Sequence, residues 1–192
     1  VSFDADFLSE WLDPSHARQY TANRKPENGK MSRHYHFESL LSVTGANADK
    51  RVPIKPSEQE QYTLRLYDAV LTLANQSSIN STKTKHDKLI NGIAKELWSK
   101  KGTSLVLSGS DNVNIQLITN AINQLLGNYE NTISTKIKSN LYSSTNQDIH
   151  ELIAEMNDGN VDMIMFLNTN PAYHLSNSEV FINALKQVET KI

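Results

Sequence analysis

The chain of 192 residues contains no cysteine, which removes disulfides, cysteine-ligated iron–sulfur clusters and thiol catalysis from within it and leaves its redox compartment open. It lacks any apolar run long enough to cross a bilayer, and its N-terminus carries neither a basic region nor an apolar signal core. Direct membrane insertion is therefore not expected, and any membrane association would run through a partner. Excess charge of either sign is missing too. Nineteen Lys and Arg stand against 21 Asp and Glu, for a net charge of −2, and the lysines are scattered among acids, so nucleic acid is not expected as a partner. There is no Gly-x-Gly-x-x-Gly or Walker pattern, and no Ser-His-Asp order around a nucleophile. The opening Val1-Ser2-Phe3 has no initiator Met and already reads as a strand, so the chain is expected to be a piece of something longer.

What is present reads as an ordinary globular α/β sequence. Apolar residues recur at helical spacing in five places: Tyr62 to Leu73, Leu89 to Leu97, Leu117 to Leu126 with Gly127 as a stop, Ile149 to Met156 with a stop near Asp158-Gly159, and Val180 to Val188. Short strand-like runs lie at Val1 to Phe3, Tyr35 to Phe37, Val52 to Ile54, Ser104 to Leu107 and Asp162 to Leu167. Their alternation with helices predicts parallel strands covered on both faces, in a Rossmann-like arrangement. The polar run around 77–85 predicts a linker between an N-terminal lobe, 1–76, and a C-terminal lobe, 86–192. Asn128 to Gln147 is a second polar stretch, long for a compact domain.

Open α/β sheets bind ligands at the carboxyl ends of their strands, so the loops there are the candidate sites. The run Val161 to Leu167 ends in Asn168-Thr169-Asn170-Pro171, whose amides and fixed turn could read a base or ribose, or simply make a turn. Leu105 to Ser108 runs into Gly109, whose turn could offer amides to a phosphate or merely connect strand to helix, with Ser110, Asp111 or Asn112 as cap. Asp4 and Asp6 follow the first strand and could serve as an acid/base pair or a cation site. The preferred expectation is capping and solvation at the start of a helix containing Leu8 and Trp11. His34 and His36 share one face of a strand, as two metal ligands would, but no third ligand is tied to them by spacing, and a surface position is expected.

In order along the chain, Ser2-Phe-Asp-Ala-Asp-Phe-Leu8, Phe37-Glu38, Thr44-Gly-Ala-Asn-Ala-Asp49, Val52-Pro-Ile-Lys-Pro-Ser-Glu58, Leu105-Val-Leu-Ser-Gly109 and Leu167-Asn-Thr-Asn-Pro171 resemble the molybdopterin oxidoreductases of the DMSO reductase type. The likeness is greatest to the divergent molybdopterin-like iron–sulfur subunit of bacterial alternative complex III, a quinol:electron-acceptor oxidoreductase. The resemblance implies dinucleotide-type loops at Asp4, Asp6, Glu38, Gly109, Asn168, Asn170 and Pro171, with Glu38 at the position used on the guanosine. Where catalytic members carry Gly and Pro in the first loop, this chain has Asp4, Asp6 and Phe7. An Arg-containing run is replaced by Ser39-Leu40-Leu41, and glycines of the last loop by Asn168-Thr169.

Losses in the same direction at several loops imply a non-catalytic structural region of a respiratory complex subunit. It would be held by partner subunits on the periplasmic side of the bacterial inner membrane, with no cofactor of its own and its iron–sulfur clusters elsewhere in the full-length protein. Two alternatives stand beside this: the cofactor-binding portion of an active molybdopterin guanine dinucleotide enzyme, and a small α/β module that binds a nucleotide or a protein.

Overall fold

A computed structural model of the protein describes residues 1–11, 13–136 and 146–192. Two compact units divide the chain, 1–138 and 139–192. The first contains β1 (Ser2–Phe3), α1 (Ser15–Ala22), β2 (Tyr35–Glu38), α2 (Val43–Ala46), β3 (Lys50–Pro53), α3 (Gln59–Leu73), α4 (Asp87–Ser99), β4 (Leu107–Ser108) and α5 (Val113–Leu125). The second contains α6 (Asn146–Asn157), β5 (Met163–Ile164), α7 (Pro171–His174), α8 (Ser178–Leu185) and β6 (Thr190–Lys191).

The first unit is a parallel α/β sheet in the order β3-β2-β1-β4, flanked by helices and Rossmann-like as expected. The order reverses between β1 and β4, because the chain leaves β1 in one direction and returns to its other side. Such a reversal opens a crevice at the strands' carboxyl ends. Phe3 and Phe37 stack at 5.0 Å across β1 and β2, and below them Leu66 and Val70 of α3 meet Ile90 and Ile93 of α4, all at or under 1% exposure. Each such side chain stabilises the fold by about 1.5–3 kcal/mol on burial. α3 is the central helix, packing against both α4 and α5.

Helix ends follow local chemistry. The Asn112 side chain accepts from Asn114 N (2.9 Å) at the start of α5, and Gly127 at φ 64° ends the turn beyond it. Asn123 extends from α5 to β4, with its amide accepting from Val106 N (3.0 Å) and donating to Val106 O (2.7 Å). A side-chain amide thus takes the place of a strand partner beside the sheet's edge.

Three expectations change. The polar run 77–85 lies inside the first unit and does not separate two lobes. Asp68, 2% exposed, collects Ser78 Oγ, Ile79 N, Ser81 N and Ser81 Oγ, so the segment is polar because a buried carboxylate organises it. The helix expected around Leu8 and Trp11 is a set of turns, with Glu10 N bonded to Asp6 O (2.9 Å), and the helix begins later at Ser15. Of the polar excursion 128–147, Asn128 is buried and donates to Asn123 Oδ1 (2.9 Å), while residues 137–145 lie outside the described residues.

In the second unit β5 pairs in parallel with β6, and α6 packs against α8 over Ile153, Met156, Phe181, Ala184 and Val188. The run 162–167 is not the buried strand expected. Ile164 and Phe166 turn inward, whereas Met163, Met165 and Leu167 are 55%, 63% and 85% exposed, the period-two alternation of a strand covered on one face. Among the described residues no helix is long and apolar enough to cross a membrane.

Candidate functional site at the carboxyl end of the first sheet

The structure brings Asp4, Asp6, Glu38 and Gly109 to one end of the first sheet, since all four follow or end parallel strands. Each carboxylate there clasps one Ser or Thr by both backbone N–H and hydroxyl. Asp4 accepts from Ser39 N (2.7 Å) and Ser39 Oγ (2.8 Å), and also from Gln59. Asp6 accepts from Thr44 N (3.0 Å) and Thr44 Oγ1 (2.6 Å). Glu38 accepts from Ser42 N (3.1 Å) and Ser42 Oγ (2.6 Å) through one oxygen, and from Arg51 through the other. The loop 39–44 is thus tied down at three points, and its apex presents Leu40 and Leu41 at 82% and 69% exposure.

Asp4 and Asp6 therefore do not cap a helix at residues 7–11, as had been expected. Most of their bonds come from the loop after β2, with Ser9 Oγ also donating to Asp6 and Gln59 to Asp4; burial raises the Asp6 carboxyl, but the bonds from Ser9 and Thr44 outweigh it and hold it below its usual range. Glu38 is 1% exposed and cannot reach a guanosine. Burial raises its carboxyl, but the bonds from Ser42 and Arg51 outweigh this and hold it low.

His34 and His36 overturn the surface expectation. They do share a face of β2, but at 6% and 0% exposure they point at Ser2 on β1, where Ser2 is the register partner of His36. Ser2 Oγ lies 2.7 Å from His34 Nε2 and 2.5 Å from His36 Nδ1, and His36 Nε2 lies 3.0 Å from Glu38 Oε2. Desolvation lowers His34 from 6.5 to about 3 and lowers His36 as well, so both imidazoles are neutral at pH 7.

With both rings neutral, the Glu38 carboxylate sets the order of protons from His36 to His34. His36 Nε2–H donates to Glu38, so Nδ1 must accept from the Ser2 hydroxyl. Ser2 Oγ then accepts from His34 Nε2–H, which leaves His34 Nδ1 as an acceptor 3.1 Å from the Tyr20 hydroxyl, a hydroxyl that also lies 3.1 Å from the Asn47 carbonyl as its donor. Ser2, His36 and Glu38 stand in the order of a serine–imidazole–carboxylate relay, yet Ser2 is 1% exposed and sealed between paired strands. No carbonyl can approach it. The seam orders protons within the core and does not attack a substrate.

The loop after β4 is closed in a similar way. Gly109 N donates to Phe3 O (3.0 Å), Ser110 N to Ser108 Oγ (3.1 Å) and Asn112 N to Ser110 Oγ (3.2 Å), so three of the amides that could cradle a phosphate already have partners. A Cβ on Gly109 would overlap the Asp4 carbonyl oxygen, which shows why glycine stands there. It permits the β1 and β4 strand ends to touch, at the place where a dinucleotide pyrophosphate would need room. These residues do not fit a molybdopterin guanine dinucleotide: carboxylates already hold the available donors, and backbone fills the reversal point.

Asn168, Asn170 and Pro171 belong to the second unit and are described there alone. Asn168 adopts φ 54°, and Asn170 precedes α7 with Pro171 in its first turn. Tyr173 N and His174 N bond to Asn170 O (3.0 Å each), so this loop is a turn entering a short helix.

The residues missed in the sequence were Ser2, Ser39, Ser42, Thr44 and Arg51, the partners of the acids. One signal was available: His34, His36 and Glu38 stand at alternate positions, a polar face on a strand with Tyr35 and Phe37 between them. A scan against models of known families finds no match to this chain, and no curated protein matches it.

Proposed function

We propose that this chain is a non-catalytic structural region of a respiratory quinol oxidoreductase subunit, of the molybdopterin-oxidoreductase-like type, serving assembly while electrons pass elsewhere in the complex. In this reading it lies on the periplasmic side of a bacterial inner membrane, attached through partner subunits. The observation that carries the non-catalytic half is the triple clasp: Asp4, Asp6 and Glu38 occupy the donors of loop 39–44 that an anionic cofactor would use. Leu40 and Leu41 support the assembly half. A loop fixed at three points loses little entropy when its exposed leucines are buried against another protein.

Denaturing the purified full-length protein and measuring molybdenum and oxidised-pterin fluorescence tests the first half. Absence of both is expected, and stoichiometric amounts of both would overturn the reading. For the assembly half, Leu40→Ser with Leu41→Ser should leave the melting temperature unchanged and prevent co-purification with the neighbouring subunits. Unimpaired assembly would remove this loop from the interface.

A further inference from the structure

Beyond the clasped loop 39–44, a cleft runs between the edge strand β3 and the start of α4. It has two adjoining parts of about 380 Å3 and about 480 Å3 that share His86 and Leu89. Lys50 and Arg51 line the first part, Lys85 and Lys88 the second. Among the described residues, Lys50, Lys85 and Lys88 form no ion pair with a carboxylate, whereas the acids close by are already engaged. Asp87 pairs with Arg65 and accepts from Thr84 N (2.7 Å), Glu96 pairs with Arg33 and accepts from Tyr35, and Glu58 accepts from Lys55 N. Among the described residues, Lys50, Lys85 and Lys88 are therefore the cleft's unpaired cations, beside Arg51, which is paired with Glu38, and Glu96, which lines the second part and is paired with Arg33.

We propose that this cleft is a binding site for a small multiply charged anion, of the phosphate or dicarboxylate class. His86 is positioned to contribute: its Nδ1 lies 2.9 Å from the Tyr62 hydroxyl, which, as donor, leaves the imidazole proton on Nε2, the nitrogen with no protein partner among the described residues. Burial raises the Tyr62 pKa, which keeps that hydroxyl protonated as the donor.

The floor of the cleft argues against a peptide strand as occupant. Lys50 N bonds to His34 O and Ile54 N to Glu38 O, so the even-numbered residues of β3 face β2 and Arg51 and Pro53 face outward. Proline has no N–H, and a lysine and a proline on an edge are the features that discourage strand addition. One outward amide, at Arg51, remains as a donor suited to an anion's oxygen.

Titrating the protein with inorganic pyrophosphate while following backbone amide resonances tests the site, with succinate as the carboxylate arm and sodium chloride at matched ionic strength as control. Saturable shifts confined to residues 50–52 and 85–89 with either probe are expected. Lys50→Glu together with Lys88→Glu should weaken binding at least about tenfold, since both lysines are exposed and their loss perturbs no core. Lys25→Glu, exposed and outside the cleft, should leave it unchanged. The proposal fails if neither probe produces localised shifts, if chloride reproduces them, or if the double variant binds as well as the parent.

Discussion

The two strand ends with candidate loops differ in what holds them. At the end of the first sheet, Asp4, Asp6 and a histidine–serine seam join segments more than 30 residues apart in the chain, while Glu38 ties down the loop that follows it. At the end of β5, among the described residues, no side-chain hydrogen bond holds Asn168 or Asn170, and the turn is set by backbone alone. Polarity at the mouth of a sheet therefore has two meanings. In the first unit it is internal cement, and in the second it is a solvated turn.

Acid should break the first region with the largest effect. Unfolded histidines bind protons near pH 6.5, whereas folded His34 resists until about pH 3 and folded His36 is lowered in the same direction. Stability is then complete above about pH 6.5 and falls as the pH drops toward 3. The lowered carboxyls of Asp6, Glu38, Asp49, Asp68 and Asp87 add a further loss below the ordinary carboxylate range. At about 1.4 kcal/mol per unit, His34 alone is worth on the order of 4–5 kcal/mol. Trp11 and Trp98 both lie in the first unit, so urea midpoints by tryptophan fluorescence at pH 7 and pH 4 report on it selectively. His34→Gln with His36→Gln should flatten the profile between those values. A parent protein with equal midpoints at both would contradict the neutral buried pair.

Glycine substitutions come next. A Cβ on Gly45 would overlap the buried Glu38 carboxylate, so Gly45→Ala should cost about 3 kcal/mol. Gly92, inside α4 with open space at its Cβ position, is the control: Gly92→Ala should stabilise by up to about 1 kcal/mol. Equal effects at the two sites, read by urea denaturation, would mean that the loop after β2 can move aside and is not clasped.

The helices α3, α4, α5, α6 and α8 were legible because a one-sided apolar stripe repeats every three to four residues within a single segment. Strands β1 to β3 were legible as short apolar runs between them, and β4, expected at Ser104 to Leu107, falls at Leu107–Ser108. The two long-range clasps were not, because each pairs a carboxylate with a distant Ser or Thr that local sequence offers no reason to select: Asp4 with Ser39, Asp6 with Thr44. The reading of 77–85 failed for the same reason. Its serines look like linker residues until Asp68, ten or more positions earlier, is seen to bind them. β5 was read as buried because Met163 to Leu167 is apolar throughout, and composition alone cannot tell a strand covered on two faces from one covered on one.

Glu38→Gln probes the charge in the seam without removing volume. It leaves Arg51 and the His36 Nε2–H facing a neutral amide, which must turn either its oxygen or its NH2 toward them. A loss of about 2–3 kcal/mol is expected, because a buried bond to a charged partner is broken on one side only. Glu189→Gln, exposed in the second unit, should stay within about 0.5 kcal/mol.

The smallest test compares two asparagines before helices. Asn112 has its side chain bonded to Asn114 N, so Asn112→Ala should cost about 1 kcal/mol, the ordinary value of a helix cap. Asn170 precedes α7 with no side-chain cap bond, and Pro171 in the first turn has no N–H to satisfy, so Asn170→Ala should cost less than about 0.5 kcal/mol. Asn168→Gly should be neutral or slightly stabilising, since φ 54° suits glycine better than any residue with a Cβ. Chemical denaturation of the three variants measures all of this. Were Asn170→Ala to cost as much as Asn112→Ala, its amide would be holding the loop in solution, and the contrast between a clasped strand end and a solvated one would disappear.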